Sequence, residues 1–199
     1  IEKAQETFDG LPHRDIVSWT VLISGYAEQG FGAKALYYFK QMLLVGLSAD
    51  SPTLVCCLKA CGSVNAIVKG QQIHADIVGK GMETEQVLGS AVVDMYIKCS
   101  FLIEAHRVFE SLPICDVVSW TSLAIGYTEH RYGEEALQCL EAMNRSGVPL
   151  NMVTYMSGLK ACGTIKAMKK GQEIYADVIK KGFESEHIDN TLIHMYIEF

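Results

Sequence analysis

The chain repeats itself, and that feature constrains its fold more than any other. Asp15-Ile16-Val17-Ser18-Trp19-Thr20 returns 101 positions later as Asp116-Val117-Val118-Ser119-Trp120-Thr121, and Leu58-Lys59-Ala60-Cys61-Gly62 returns at the same offset as Leu159-Lys160-Ala161-Cys162-Gly163. From Leu58 to Glu85 against Leu159 to Glu186, 16 of 28 positions are identical. A chain that recurs at a fixed period is built of supersecondary units that cannot each bury their own apolar faces, so neighbours must stack and share a core.

Three helix pairs make up the period. In residues 16–50, Trp19, Leu22, Ile23 and Tyr26 recur at helical spacing until Gly30. Ala35, Leu36, Phe39, Met42 and Leu43 restart the pattern and Gly46 stops it. Residues 51–85 open on Ser51-Pro52, read as an N-cap followed by proline at the first helical position. Gly62 and Gly81 are expected as left-handed caps closing its two helices. Residues 86–116 carry Val92, Met95 and Tyr96 on one helix and Ala105, Val108, Phe109 and Leu112 on the other, which Pro113 ends. These units are 35, 35 and 31 residues long. The cycle restarts over 117–151 and 152–186 and breaks off in a partial unit, 187–199. Residues 1–15 read as the second helix of a preceding short unit, with Ala4, Phe8 and Leu11 in its stripe. The last unit is one residue short: Gly81 to Met95 spans 14 steps and Gly182 to Met195 only 13, a gap expected near His187–Asn190. The expectation is an all-α solenoid of about twelve helices with no strands, the first helix of each pair lining a concave surface. Because the chain opens mid-repeat, it reads as a segment of a longer array.

Composition excludes several functions. No apolar run reaches the ~18 residues of a membrane-spanning helix; the stretch from Leu36 to Leu47 is broken by Lys40, Gln41 and Gly46. Seven cysteines include no Cys-x-x-Cys, and Cys57 with Cys61 lacks the second pair or nearby histidine of a zinc site. They read as small buried hydrophobes. Gly30-Phe31-Gly32 lacks the strand and the Gly-Lys-Ser/Thr of a phosphate loop. The six histidines are scattered, with no deaminase signature among them. The segment therefore reads as non-enzymatic, with no cofactor and no metal.

Val-Ser-Trp-Thr, Gly-Tyr, Glu-Ala-Leu and the closing Gly46-x-x-x-Asp50 and Gly147-x-x-x-Asn151 resemble pentatricopeptide repeats. The 35-35-31 alternation resembles the P-L-S subclass of plant organellar RNA-processing factors. Leu58-Lys59-Ala60-Cys61, Gly70-Gln71-Gln72-Ile73-His74 and Asp94-Met95-Tyr96 match that subclass's L and S signatures. A tetratricopeptide array would instead keep one 34-residue period. Departures from the pattern are Arg131 where the first P unit has Gly30, Ser100 where glycine is usual, and Tyr175 in place of His74.

The resemblance implies a right-handed superhelix that holds single-stranded RNA, about one base per repeat. In the family, the fifth residue of a unit and its last residue face one base. Carried over, these pairs are Thr20 with Asp50, Ser90 with Asp116, and Thr121 with Asn151, while Asp15 and Asn190 are half-pairs. The implied reading is G, G and A. A carboxylate only accepts and suits a ring N–H, whereas asparagine both donates and accepts. Val17, Val87 and Val118, second in their units, correspond to the apolar side chains that sandwich bases, and Pro52 and Val153 fill that slot in the L units. Val55 with Glu85 and Met156 with Glu186 occupy the pair positions of the L units, where an apolar fifth residue predicts weak discrimination. The resemblance further implies an array guiding cytidine-to-uridine editing in a mitochondrion or plastid. Its partners would be single-stranded RNA and editing-complex proteins, not DNA or membrane.

Two readings compete. Asp50, Asp116 and Asn151 are also ordinary helix caps, and Thr20 with Asp50 or Thr121 with Asn151 locked into backbone caps would defeat the nucleic-acid reading while leaving the solenoid. A net charge of −6 is unusual for a protein that grips phosphates and fits a protein-binding solenoid instead. Trp19, Trp120, Tyr26 and Tyr127 share helical spacing with Leu22 and Leu123 and read as core rather than as stacking platforms.

Overall fold

The computed structural model describes residues 1–183 and 185–199, which form two compact units, Ile1–Pro113 and Ile114–Phe199. All regular structure among the described residues is α-helical. The first unit holds α1 (Glu2–Asp9), α2 (Ile16–Glu28), α3 (Gly32–Leu44), α4 (Ser51–Ser63), α5 (Ile67–Gly79), α6 (Gln86–Lys98) and α7 (Leu102–Ser111). The second holds α8 (Val117–Glu129), α9 (Gly133–Arg145), α10 (Met152–Thr164), α11 (Met168–Lys180) and α12 (Glu186–Ile197). The fold is of the all-α helical-repeat class.

Local chemistry starts and stops these helices. Asp15, Asp50, Asp116 and Asn151 each cap a helix by accepting the backbone N–H three residues on. The proline of residues 51–85 is therefore one place deeper than expected: Asp50 is the cap and Pro52 the second helical residue. The turn inside each hairpin needs one left-handed residue, here Gly30, Asn65, Ser100, Arg131 and Lys166. Around Gly30, Phe31 N–H donates to the Tyr26 carbonyl and Gly30 N–H to that of Ala27, the paired bonds of a Schellman closure. Gly81 is left-handed as expected, but Gly62 is not: it lies buried inside α4, and Asn65 makes the turn. Gly62 is small because α6 passes close by; a Cβ there would come within 3.0 Å of the Lys98 side chain.

Within each unit the first helices pack side by side, α2 on α4 on α6 and α8 on α10 on α12. Among the described residues the second helices lie closest to first helices and meet one another through side chains, as Phe8 of α1 meets Tyr38 of α3 and Lys69 of α5 sits over the Phe39 ring of α3. In the second unit Lys170 on α11 still reaches Glu141 on α9, at 2.6 Å.

Ile23, Phe39, Met42, Leu58, Ile73 and Met95 are fully buried in the first unit, and Leu123, Met143, Tyr155 and Leu159 in the second. Burying one such side chain contributes about 1.5–3 kcal/mol. Trp19, Tyr26 and Tyr127 are buried and Trp120 half-buried, the core role expected of them. Leu43, Leu11 and Ala4, assigned to apolar stripes, are exposed. One residue fewer separates Gly182 from the start of α12 at Glu186 than separates Gly81 from the start of α6 at Gln86. Met95 and Met195 occupy the same helical register, each with its sulfur against the glycine of the preceding hairpin, Gly70 and Gly171.

Candidate RNA-binding face

The face is built on the first turn of each first helix. Positions two, five and nine of a unit fall on one side of its helix, as i, i+3 and i+7 must. In α2 this side carries Val17 and Thr20; in α6, Val87 and Ser90; in α8, Val118 and Thr121. Val17, Val87 and Val118 are 63%, 69% and 65% exposed, so packing does not account for them. Pro52 and Val153 are likewise exposed.

The fifth-residue hydroxyls are half-buried and bonded back along their own helices. Thr20 Oγ1 lies 2.8 Å from the Ile16 carbonyl, Ser90 Oγ 2.9 Å from that of Gln86, and Thr121 Oγ1 2.6 Å from that of Val117. A hydroxyl whose proton is used this way still presents acceptor lone pairs.

The last residues are all caps, as one of the competing readings held. Asp50 Oδ1 accepts from Thr53 N–H at 3.0 Å and from the Thr53 hydroxyl at 2.5 Å. Asp116 Oδ1 accepts from Ser119 N–H and from its hydroxyl, both at 2.8 Å. Asn151 Oδ1 accepts from Thr154 N–H at 2.9 Å. Asp15 does the same with Ser18, whose N–H and hydroxyl hold its carboxyl below the usual carboxylate range. Asp50 and Asn151 are thus locked into backbone caps, the arrangement expected to withdraw them from a base. A cap occupies one terminal atom of the side chain and fixes the direction of the other. Asn151 shows this: its Nδ2 is turned to Thr121 Oγ1, 3.5 Å away.

Within the first unit Thr20 and Asp50 are brought together through a third residue. Thr53 Oγ1 lies 2.5 Å from Thr20 Oγ1 as well as 2.5 Å from Asp50 Oδ1. Within the second unit Thr121 and Asn151 meet directly. Ser90 belongs to the first unit and Asp116 to the second. Asn190 lies exposed on α12. Glu85 accepts a 2.6 Å bond from Ser51 Oγ.

Thr53 and its counterpart Thr154, both fully buried, were absent from the sequence-derived set. The signal was present: Asp15-x-x-Ser18, Asp50-x-x-Thr53, Asp116-x-x-Ser119 and Asn151-x-x-Thr154 put a hydroxyl at the third position of α2, α4, α8 and α10. The spacing is that of a reciprocal cap, which Asn151 and Thr154 form in full.

The cysteines take no part in this face. All seven are free; burial pushes the Cys61 and Cys139 thiols up to about 12 and Cys162 to about 11, so they stay protonated and inert. Among the described residues no group of three or more metal-ligating side chains converges, and no helix is long and apolar enough to cross a membrane.

The family model of the PPR repeat matches residues 17–47 and 118–148. The chain is built of pentatricopeptide repeats. The similarity to curated pentatricopeptide repeat proteins runs along almost all of it. The chloroplastic pentatricopeptide repeat-containing protein At4g18520 of Arabidopsis thaliana is 37% identical over 198 residues, covering 98% of this chain and 32% of that protein. The mitochondrial pentatricopeptide repeat-containing protein At2g03380 of the same plant is 31% identical over 196 residues, covering 98% and 28%. The chain thus spans about a third or less of the length of these relatives. Among solved structures, maize PPR10 superposes with a TM-score of 0.73 at 23% identity, over 98% of this chain and 29% of that one, a likeness of fold. PPR10 in complex with an 18-nucleotide psaJ RNA element superposes at 0.66 and 18% identity, over 98% and 34%.

Proposed function

We propose that this pentatricopeptide segment binds single-stranded RNA and selects bases through the fifth and last residues of its P and S units. The observation that carries the reading is the Thr121–Asn151 contact. An amide pinned by its helix cap beside a hydroxyl, next to the exposed Val118, is a polar pair held rigid at the edge of an apolar seat. Such a seat suits the face of a base and the pair suits its edge. That a protein of this fold, PPR10, has been crystallised with RNA supports the same use. Thr20 with Asp50 is assigned to guanine and Thr121 with Asn151 to adenine. Asp15 and Asn190 belong to neighbouring pairs, and Val17, Val87 and Val118 flank the bases.

The 35-35-31 order supports the P-L-S subclass, and with it a role in a factor for cytidine-to-uridine editing that also meets editing-complex proteins. The chloroplastic and mitochondrial relatives support an organellar setting. A protein-binding solenoid is favoured by one observation, the net charge of −6. Fluorescence anisotropy of a short single-stranded RNA across a salt series separates the two. Base-led RNA binding gives a shallow but falling log K against log salt. Absence of RNA binding at 50 mM salt would leave the protein-scaffold reading standing.

A further inference from the structure

The two P units are wired differently, and the difference centres on a residue outside the reading pairs. Thr53 is the third residue of α4, fully buried, and its single hydroxyl lies between two oxygens. One belongs to the Asp50 carboxylate and the other to Thr20, 33 positions away on α2. The Thr53 hydroxyl has one proton to give, and a charged acceptor claims it over a neutral one. With that proton on Asp50 Oδ1, the 2.5 Å contact draws on the Thr20 proton, which Thr53 Oγ1 then shares with the Ile16 carbonyl 2.8 Å away, since two oxygens cannot approach so closely on lone pairs alone. Thr20 is then left with lone pairs only. Asp50 Oδ2 has only lone pairs too, and no partner among the described residues.

The corresponding residue of the second unit does otherwise. Thr154 Oγ1 donates to the Asn151 backbone carbonyl at 2.7 Å and accepts the Asn151 N–H at 2.8 Å, turned away from the side-chain pair. Asn151 instead donates to Thr121 from its own amide. The second pair offers a donor; the first offers none.

Resting on the base-reading function above, we infer that Thr53 is a positioning residue that ties Thr20 to Asp50 and holds their pair in place as an acceptor-only edge. Guanine is the base whose Watson–Crick edge presents two adjacent donors, N1–H and the N2 amino group. Adenine and cytosine each place a ring lone pair beside their amino group, and uracil has one donor between two carbonyls. An acceptor-only pair therefore favours guanine and repels the others. The choice is enforced from a residue that touches no base.

The test captures a randomised ten-nucleotide single-stranded RNA pool on the immobilised chain and sequences the bound fraction for wild type, Thr53→Val, Thr53→Ser, Asp50→Asn and Thr154→Val. Losing one hydrogen bond of this kind should lower the preference for G at one register about 5–10-fold in Thr53→Val. Thr53→Ser should restore it, and Thr154→Val should leave selectivity at the other P unit unchanged. If Thr53→Val keeps the wild-type preference while Asp50→Asn loses it, the base-reading function stands and the role of Thr53 is overturned. Failure of Thr53→Ser to restore a lost preference overturns it equally, because the hydroxyl is then not the cause. If neither Asp50→Asn nor Thr53→Val alters any register, the base-reading function itself fails and takes the inference with it.

Discussion

Asn151 uses its two terminal atoms for two different purposes: Oδ1 holds the start of α10 by accepting from Thr154 N–H, and Nδ2 faces Thr121 Oγ1. Replacing it with aspartate keeps the first and inverts the second. Asn151→Asp should change stability by less than about 0.5 kcal/mol, since aspartate and asparagine cap equally well. It should also move the preference at one base from A toward G by about 1–3 kcal/mol of discrimination, read by binding of single-base RNA variants. Asn151→Ala should instead cost about 1 kcal/mol of stability, read from denaturant midpoints, because the cap itself is lost.

Gly133 opens α9 against the backbone of α10. A Cβ there would lie 2.9 Å from the Ala161 carbonyl oxygen and 2.5 Å from Ile165 Cγ2. Gly133→Ala should destabilise by about 1–3 kcal/mol even though alanine is the better helix former. Gly79, at the end of α5 with nothing within 4 Å of its Cβ position, is the control. Gly79→Ala should be neutral or stabilising by up to about 1 kcal/mol in the same denaturation experiment.

Arg131 holds a left-handed conformation at φ 63°, where the equivalent turn of the first unit has Gly30 at φ 80°. A side chain in that region costs about 1–2 kcal/mol that glycine does not pay. Arg131→Gly should therefore raise stability by about 1 kcal/mol, less the entropy glycine returns to the unfolded chain. Calorimetry or denaturant melts would show it, and a lowered midpoint would contradict the strain argument.

His74 is half-buried with its Nδ1 3.1 Å from the Tyr96 hydroxyl, and burial holds its pKa below the ordinary histidine value near 6.5. The unfolded chain then binds the proton more readily than the folded one. Stability contributed by neutral His74 is present above the unfolded value and falls as pH drops from about 6.5 toward the folded value. His74→Gln should show a smaller loss of stability than wild type between pH 7.5 and pH 5.5. Equal slopes would remove His74 from the pH response.

The sequence alone determined whatever depends on neighbours within a turn or two. The period of 101, the helical spacing of Trp19, Leu22 and Tyr26, and the Asx-x-x-Ser/Thr starts are local or repetitive signals, and they fix which segments are helices and what caps them. Tertiary structure decided the rest, because it depends on how closely one helix lies on the next. Gly62 looked like a turn residue and is instead a point of close approach to Lys98; the left-handed turn went to Asn65. Likewise, nothing in the chain places Thr53 against Thr20, and only the packing of α4 on α2 brings those two hydroxyls to 2.5 Å. Caps act between residues three apart and can be read from letters. A hydrogen bond between residues 33 apart exists only once their helices have stacked.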